Sequence, residues 1–301
     1  MREIHPDLAP YWLGGLLEVV SVDGGPTDEQ LRIIQGLLRG YFGIDGALDL
    51  QPLRADIISA YITDPASRYR MVETMIVLEF ARHPASAQLV DSVESYAATL
   101  GIDEPMLHVA RRAAEAHREL LMDDWRRFAR STPVQPALRG RPEAETAERL
   151  AALRECAPGS LGRAFADFYE RWGLDYPTVA QTKGLNLVSH DFSHVLSGYL
   201  PNDGIEEVAL SAMIVSATDG ESHFSALTAS MALYEAGLFD VLGITPTTGV
   251  LGRPGSPEIF ADAMRRGASC TADFAALDHL ALADEPLHKL RDELGIPPRA
   301  A

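Results

Sequence analysis

The chain has 301 residues, 47% of them hydrophobic, and a formal net charge of −17 with a pI near 4.9. That length fills one large core or, more naturally, two domains. So acidic a surface repels phosphate backbones and anionic headgroups, which argues against nucleic acid and leaves at most peripheral membrane contact.

Taken in chain order, the opening "MREIHPDLAP" has an acid, a histidine and prolines where an export signal needs an apolar run. The longest uncharged runs, Val208–Thr218, Phe224–Tyr234 and Val241–Gly252, are too short to span a bilayer as helices. The two cysteines, Cys156 and Cys270, have no metal-type spacing and form no disulfide framework. Together these features predict a cytoplasmic protein, peripheral at most to the inner face of a membrane. In "VVSVDGGPTDEQLRIIQGLLRGYFG" one helix ends at Asp23-Gly24-Gly25 and Pro26 to Glu29 start another. This turn resembles the opening of TerB-like helical domains. Asp23, Asp28 and Glu29 there either bind a cation or complement the helix dipole. "YRMVETMIVLEFARH" (69–83) and "VARRAAEAHRELLMDDWRRFAR" (109–130) read as helices. The spacing therefore predicts a helical N-terminal domain over 1–130.

Residues 131–145 hold three prolines and a glycine without apolar periodicity and read as a linker. A second helical domain, 146–301, follows. In it "LGRAFADFYERW" places Leu161, Ala164, Phe165, Phe168, Tyr169 and Trp172 on one helical stripe. The fold class is all-α, in two helical halves.

The stretch that suggests chemistry is "SHDFSHVLSGYLPNDGIEEV" (189–208). His190 and His194 lie one helical turn apart on one face, about 6 Å along the axis, the arrangement helical zinc sites use. Asp191 points roughly 100° away from His190. The Pro-Asn-Asp-Gly break starts a new helix near Ile205. An antiparallel hairpin returns Glu206 toward the end of the first helix. Two neutral nitrogens with one or two carboxylates suit zinc, iron or manganese and leave positions open. The other reading makes Asp203, Glu206 and Glu207 helix caps and dipole partners.

The order His190-Asp191-x-x-His194, eleven residues, then Glu206 resembles the signature of the Coq4 family of ubiquinone biosynthesis. "APGSLGRAFADFYERWGLD" (157–175), "HVLSGYLPNDGIEEVAL" and "DHLALADEPLHKLRDELGIPP" are similar to family segments flanking the motif. The resemblance implies an all-helical fold over about 145–300. It also implies a divalent metal (zinc first, then iron, manganese or magnesium) held by His190, Asp191, His194 and Glu206. His190 and Asp191 would then be the catalytic pair. The partner implied is a prenylated or aromatic small molecule, within a biosynthetic complex or a homo-oligomer. The expected step is oxidative removal of a ring carboxylate, a decarboxylase or lyase activity, assisted by Lewis-acid activation. Phe165, Phe168, Val195, Leu196 and Met213 are candidates to line an apolar channel, or else plain core.

Two features depart from the family: the large helical N-terminal half, and "SATDGESHF", where Asp219, Glu221 and His223 are either a further polar wall or a joining loop. Two other classes compete. One is a non-catalytic prenyl-lipid scaffold. The other is a zinc hydrolase, in which Asp191 is a methylene shorter than the glutamate of HExxH. His83, His108, His117, His279 and His288 read as helix-surface or helix-end residues.

Overall fold

The computed structural model describes residues 4–46, 49–115, 143–175, 188–218, 221–238 and 244–299. Helix α1 (Ala9–Val20) buries Trp12, Leu13, Leu16, Val19 and Val20 on its inner face. It is followed by three successive residues of positive φ, Asp23 (50°), Gly24 (87°) and Gly25 (99°), so the predicted glycine turn is present. Helix α2 (Asp28–Gly36) then starts on a capping box. Thr27 Oγ1 accepts from the Gln30 N–H, and Gln30 Oε1 accepts from the Thr27 N–H. The helix runs on into a π turn, Leu37–Tyr41.

Helices α3 (Ala55–Tyr61), α4 (Pro65–Phe80), α5 (Ala87–Leu100) and α6 (Met106–Ala114) complete the N-terminal group. Every residue of α4 from Arg70 to Phe80 is buried, so this is a helix packed all round rather than an amphipathic surface one. The remaining helices are α7 (Glu143–Ala152), α8 (Leu161–Trp172), α9 (Val188–Ser197), α10 (Gly204–Ser216), α11 (Glu221–Ser230, leading into a π turn, Met231–Glu235), α12 (Ser256–Ala268) and α13 (Leu287–Glu293). There is no strand among the described residues, only the isolated bridges Ser160–Pro286 and Ala236–Thr248. The fold is all-α.

Helices of the two predicted halves pack directly on one another. Helix α12 lies between α10 and α2 and crosses both closely. A Cβ at Gly267 would overlap the Met213 carbonyl oxygen of α10, and one at Gly36 would stand 2.7 Å from Pro257 Cβ. Glycine at these two crossings lets the backbones meet. Arg70 of α4 reinforces the junction by donating to the carbonyls of Val215 (2.9 Å) and Thr218 (3.1 Å). The buried apolar residues on both sides of the predicted linker form one continuous cluster. Of the linker, residues 131–142 lie outside the described residues, and 143–145 already belong to α7.

The rest of the C-terminal half packs differently. Helix α8 joins the 283–287 segment through backbone bonds, Leu161 N–H to Glu285 O (2.9 Å) and Gly162 N–H to Ala283 O (2.8 Å). Helix α9 packs on α8 and begins the hairpin that α10 completes. No helix among the described residues is long and apolar enough to cross a membrane.

Candidate metal centre

Helix α9 carries His190 and His194, and the predicted hairpin follows it. Gly198 (φ 82°) and Asn202 (φ 63°) turn the chain, and Asp203 caps α10 by accepting from the Ile205 N–H at 3.1 Å. The last carbonyls of α9 are held by arginines from far along the chain. Arg291 donates to Val195 and Leu196 (2.9 Å each), and Arg266 donates to Ser197 (2.7 Å). Cations at a helix C-terminus satisfy its free carbonyls and complement its dipole. They fix the turn that carries His194.

At this turn the imidazoles converge. His194 Nε2 stands 3.0 Å from His190 Nε2, and Glu207 Oε2 lies 3.0 Å from the latter and 3.4 Å from the former. The Asn202 N–H donates to the other Glu207 oxygen at 3.2 Å. His194 Nδ1 faces the Tyr199 carbonyl at 3.0 Å, so Nδ1 carries the proton and Nε2 presents its lone pair. That is the tautomer a metal ligand needs, fixed by a backbone carbonyl. Zinc bonds of about 2.0–2.1 Å at tetrahedral angles separate neighbouring donors by about 3.4 Å. A triangle of two nitrogens and one carboxylate oxygen with edges of 3.0, 3.0 and 3.4 Å therefore fits a divalent ion.

Charges at the site are arranged to match. Burial penalises the Glu207 carboxylate, but the His190 and His194 imidazoles facing it hold it well below the usual carboxylate range. Burial also opposes charge on His190, whose side chain is 35% exposed. The Glu207 hydrogen bond outweighs it and moves this imidazole above its ordinary value.

Glu206 is not the carboxylate that meets the histidines. It is 6% exposed and turned the other way, where it pairs with the Arg299 guanidinium and accepts from the Leu200 N–H at 2.9 Å. Arg299 and Arg266 lie on the Tyr199 ring, with centroid distances of 5.0 and 5.1 Å. Successive residues on a helix point about 100° apart, so the rotation of α10 about its axis decides between Glu206 and Glu207. Asp191 also lies away from the triangle. Its carboxylate accepts from the Tyr169 hydroxyl, and burial raises its pKa.

The expected lining residues divide in the same way. Phe165 stacks on Phe192 at 4.0 Å, and Val195, Leu196 and Met213 are core. Phe168 alone of the five is half-buried, and its ring lies over His194 at 5.8 Å. His223 pairs with Asp273 at 2.7 Å, while Asp219 and the Glu221 side chain lie outside the described residues. His279 is not a surface residue. It is fully buried, stacked on Phe192 at 4.9 Å, and bonded through Nε2 to the Phe274 carbonyl at 2.8 Å.

The sequence matches no protein-family model and no curated protein.

Proposed function

We propose that this chain holds a divalent metal, zinc first, on His190, His194 and Glu207, and handles an aromatic precursor carrying an apolar tail, as in quinone-type biosynthesis. The observation that carries the metal reading is the convergence of three donor atoms, with His194 already in the ligand tautomer. The substrate class rests on the resemblance of the 189–208 motif and its flanks to the Coq4 family.

When bound, the metal would supply Lewis-acid polarisation of a ring carboxylate that leaves as CO₂, the two-electron oxidation of the ring being supplied by dioxygen as co-substrate. The chain's own groups do the rest. The Tyr199 carbonyl orients His194, the Asn202 N–H orients Glu207, and the Phe168 ring shields one face of His194 from water. Asp191 and Tyr169, sharing one hydrogen bond beside the site, hold a proton within the protein interior.

The test is elemental analysis with native mass spectrometry of freshly purified protein, followed by turnover of a prenylated aromatic carboxylate. Bound metal that disappears in His190→Ala/His194→Ala, together with loss of the ring carboxylate, supports the proposal. Metal-free protein at full activity sinks it. Metal and a lipid-like ligand without turnover would place the chain among the scaffolds instead.

A further inference from the structure

A second group of donors lies far from the first. Glu29 sits in the first turn of α2, His83 just beyond α4, and Glu235 at the end of the π turn after α11. Their ligand atoms all lie within 4.8 Å of one another. Glu235 is fully buried. Its Oε2 accepts from the Leu251 N–H at 2.8 Å, and its Oε1 faces His83 Nε2 at 3.1 Å.

The Glu29 carboxylate is closed in by a glycine loop: a Cβ at Gly252 would stand 2.5 Å from Glu29 Oε1. That oxygen is buried, and the carboxyl stands against the Glu235 carboxyl and the Gly252 backbone. Glu29 suits the N-terminus of α2, where a negative charge is favoured. Glu235 lies at the opposite kind of helix end, where the dipole disfavours a carboxylate. Helix capping therefore accounts for one acid and not for the pair.

The site also has room. His83 and Ala236, the residue after Glu235, line a cavity of about 300 Å³. Glu79, 5% exposed, lines the same cavity, and neither of its carboxyl oxygens has a hydrogen-bond partner. A buried carboxyl without a partner is costly, so a ligand or water in this cavity has a polar group to satisfy.

We propose that Glu29, His83 and Glu235 form a second divalent-metal centre, with coordination left open toward this cavity for water or another oxygen-donor ligand. One imidazole and two carboxylates make a set suited to zinc or manganese. The ion would join α2, the end of α4 and the α11 turn, and so lie at the junction of the two halves. The proposal is independent of the His190 centre.

Titration of the full chain with Zn²⁺, read by elemental analysis after desalting, tests it. His190→Ala/His194→Ala should retain one equivalent. Adding His83→Ala should weaken that equivalent at least a hundredfold, and adding the near-isosteric Glu29→Gln at least tenfold. Co²⁺ in place of Zn²⁺ should give a visible absorption band that His83→Ala removes. His83 has a side chain 34% exposed, so its loss should spare the fold, checked by far-UV circular dichroism; if it does not, Glu29→Gln decides. A His190→Ala/His194→Ala protein that binds no Zn²⁺, or an equivalent that survives both substitutions, overturns the proposal. A wild-type protein with a single equivalent lost in His83→Ala but not in His190→Ala/His194→Ala supports this centre and removes the first.

Discussion

The two clusters of histidine and glutamate are assembled by opposite means. His190, His194 and Glu207 come from one helical hairpin, and three arginines from the 266–299 segment hold its turn in place. Glu29, His83 and Glu235 come from three elements distant in sequence, and meet only because the N-terminal helices pack against the C-terminal ones. The first cluster is a local device on a finished fold. The second is part of the junction that makes the fold. An ion in the hairpin closes a short loop, whereas one at the junction closes long ones and constrains the unfolded chain more. Metal at the hairpin should therefore change chemistry more than stability.

The largest expected effect tests which carboxylate belongs to the hairpin cluster. Glu207→Gln should weaken zinc binding on the order of 10²–10³-fold, about one ligand's share of a structural zinc's binding free energy. Glu206→Gln should change it by less than about threefold, because Glu206 faces Arg299. Isothermal titration in the His83→Ala background isolates the hairpin centre. Equal losses from both substitutions would mean that α10 rotates when the ion binds, and that the hairpin is less preformed than the comparison requires.

The next effect concerns the support behind α9. Burial holds His279 down at about 4, so it stays neutral in the folded protein while the unfolded chain takes up a proton near 6.5. Stability is therefore fully present above about 6.5 and falls as pH drops toward 4, by about 3 kcal/mol from this residue. Denaturant unfolding at pH 7 and pH 4.5 should show the loss, and His279→Gln should flatten it. An unchanged slope in the variant would separate α9 from the packing that steadies the hairpin.

What the sequence made legible follows the same division. Both imidazoles, the helix under them and the break after Tyr199 could be read because they depend on spacing within some twenty residues. The all-α class and the Asp23-Gly24-Gly25 turn could be read for the same reason. The choice of Glu207 over Glu206 could not, since it depends on the rotation of α10. Two signals were nevertheless present. Asp203 fixes the N-cap of α10, and Glu206, three residues on, is left facing back to the turn, where it accepts from Leu200. His279 reads as surface because its partners, Phe192 and the Phe274 carbonyl, lie opposite a segment without helical periodicity. The shared core escaped the linker argument. Prolines and glycine mark where a chain lacks regular structure, not whether its flanks pack together. Gly267 and Gly36 record the close crossings only once the partner helices are known.

A smaller effect separates anchoring from ligation. Arg299→Ala should cost about 2 kcal/mol, because it leaves the buried Glu206 carboxylate without its guanidinium. Paired with Glu206→Gln in a double-mutant cycle, the two losses should be strongly non-additive, since both substitutions break one pair. Zinc affinity should follow only weakly. Arg291 and Arg266 still hold the α9 carbonyls in the variant, so the His194 turn keeps its position. Additive losses would show that Arg299 acts through the Tyr199 ring instead.

The smallest effect bears on Asp191, which the proposed family resemblance would put among the ligands and the hairpin geometry places beside Tyr169. Asp191→Asn keeps an oxygen for the Tyr169 hydroxyl and removes a carboxylate that burial already disfavours in its charged form. Stability should change by about 1 kcal/mol or less. Zinc affinity should fall less than about tenfold if Asp191 only supports the site, below the roughly ten- to hundredfold loss seen for groups bonded directly to the ligands, because Asp191 bonds Tyr169 instead. A fall as large as that of Glu207→Gln would make Asp191 a ligand. The hairpin would then have to release the Tyr169 bond and turn Asp191 inward on binding, and a tyrosine absorbance change that tracks metal addition would report that release. With the release, the hairpin centre would be formed by the ion rather than waiting for it, and would differ from the junction centre in rigidity as well as in sequence distance.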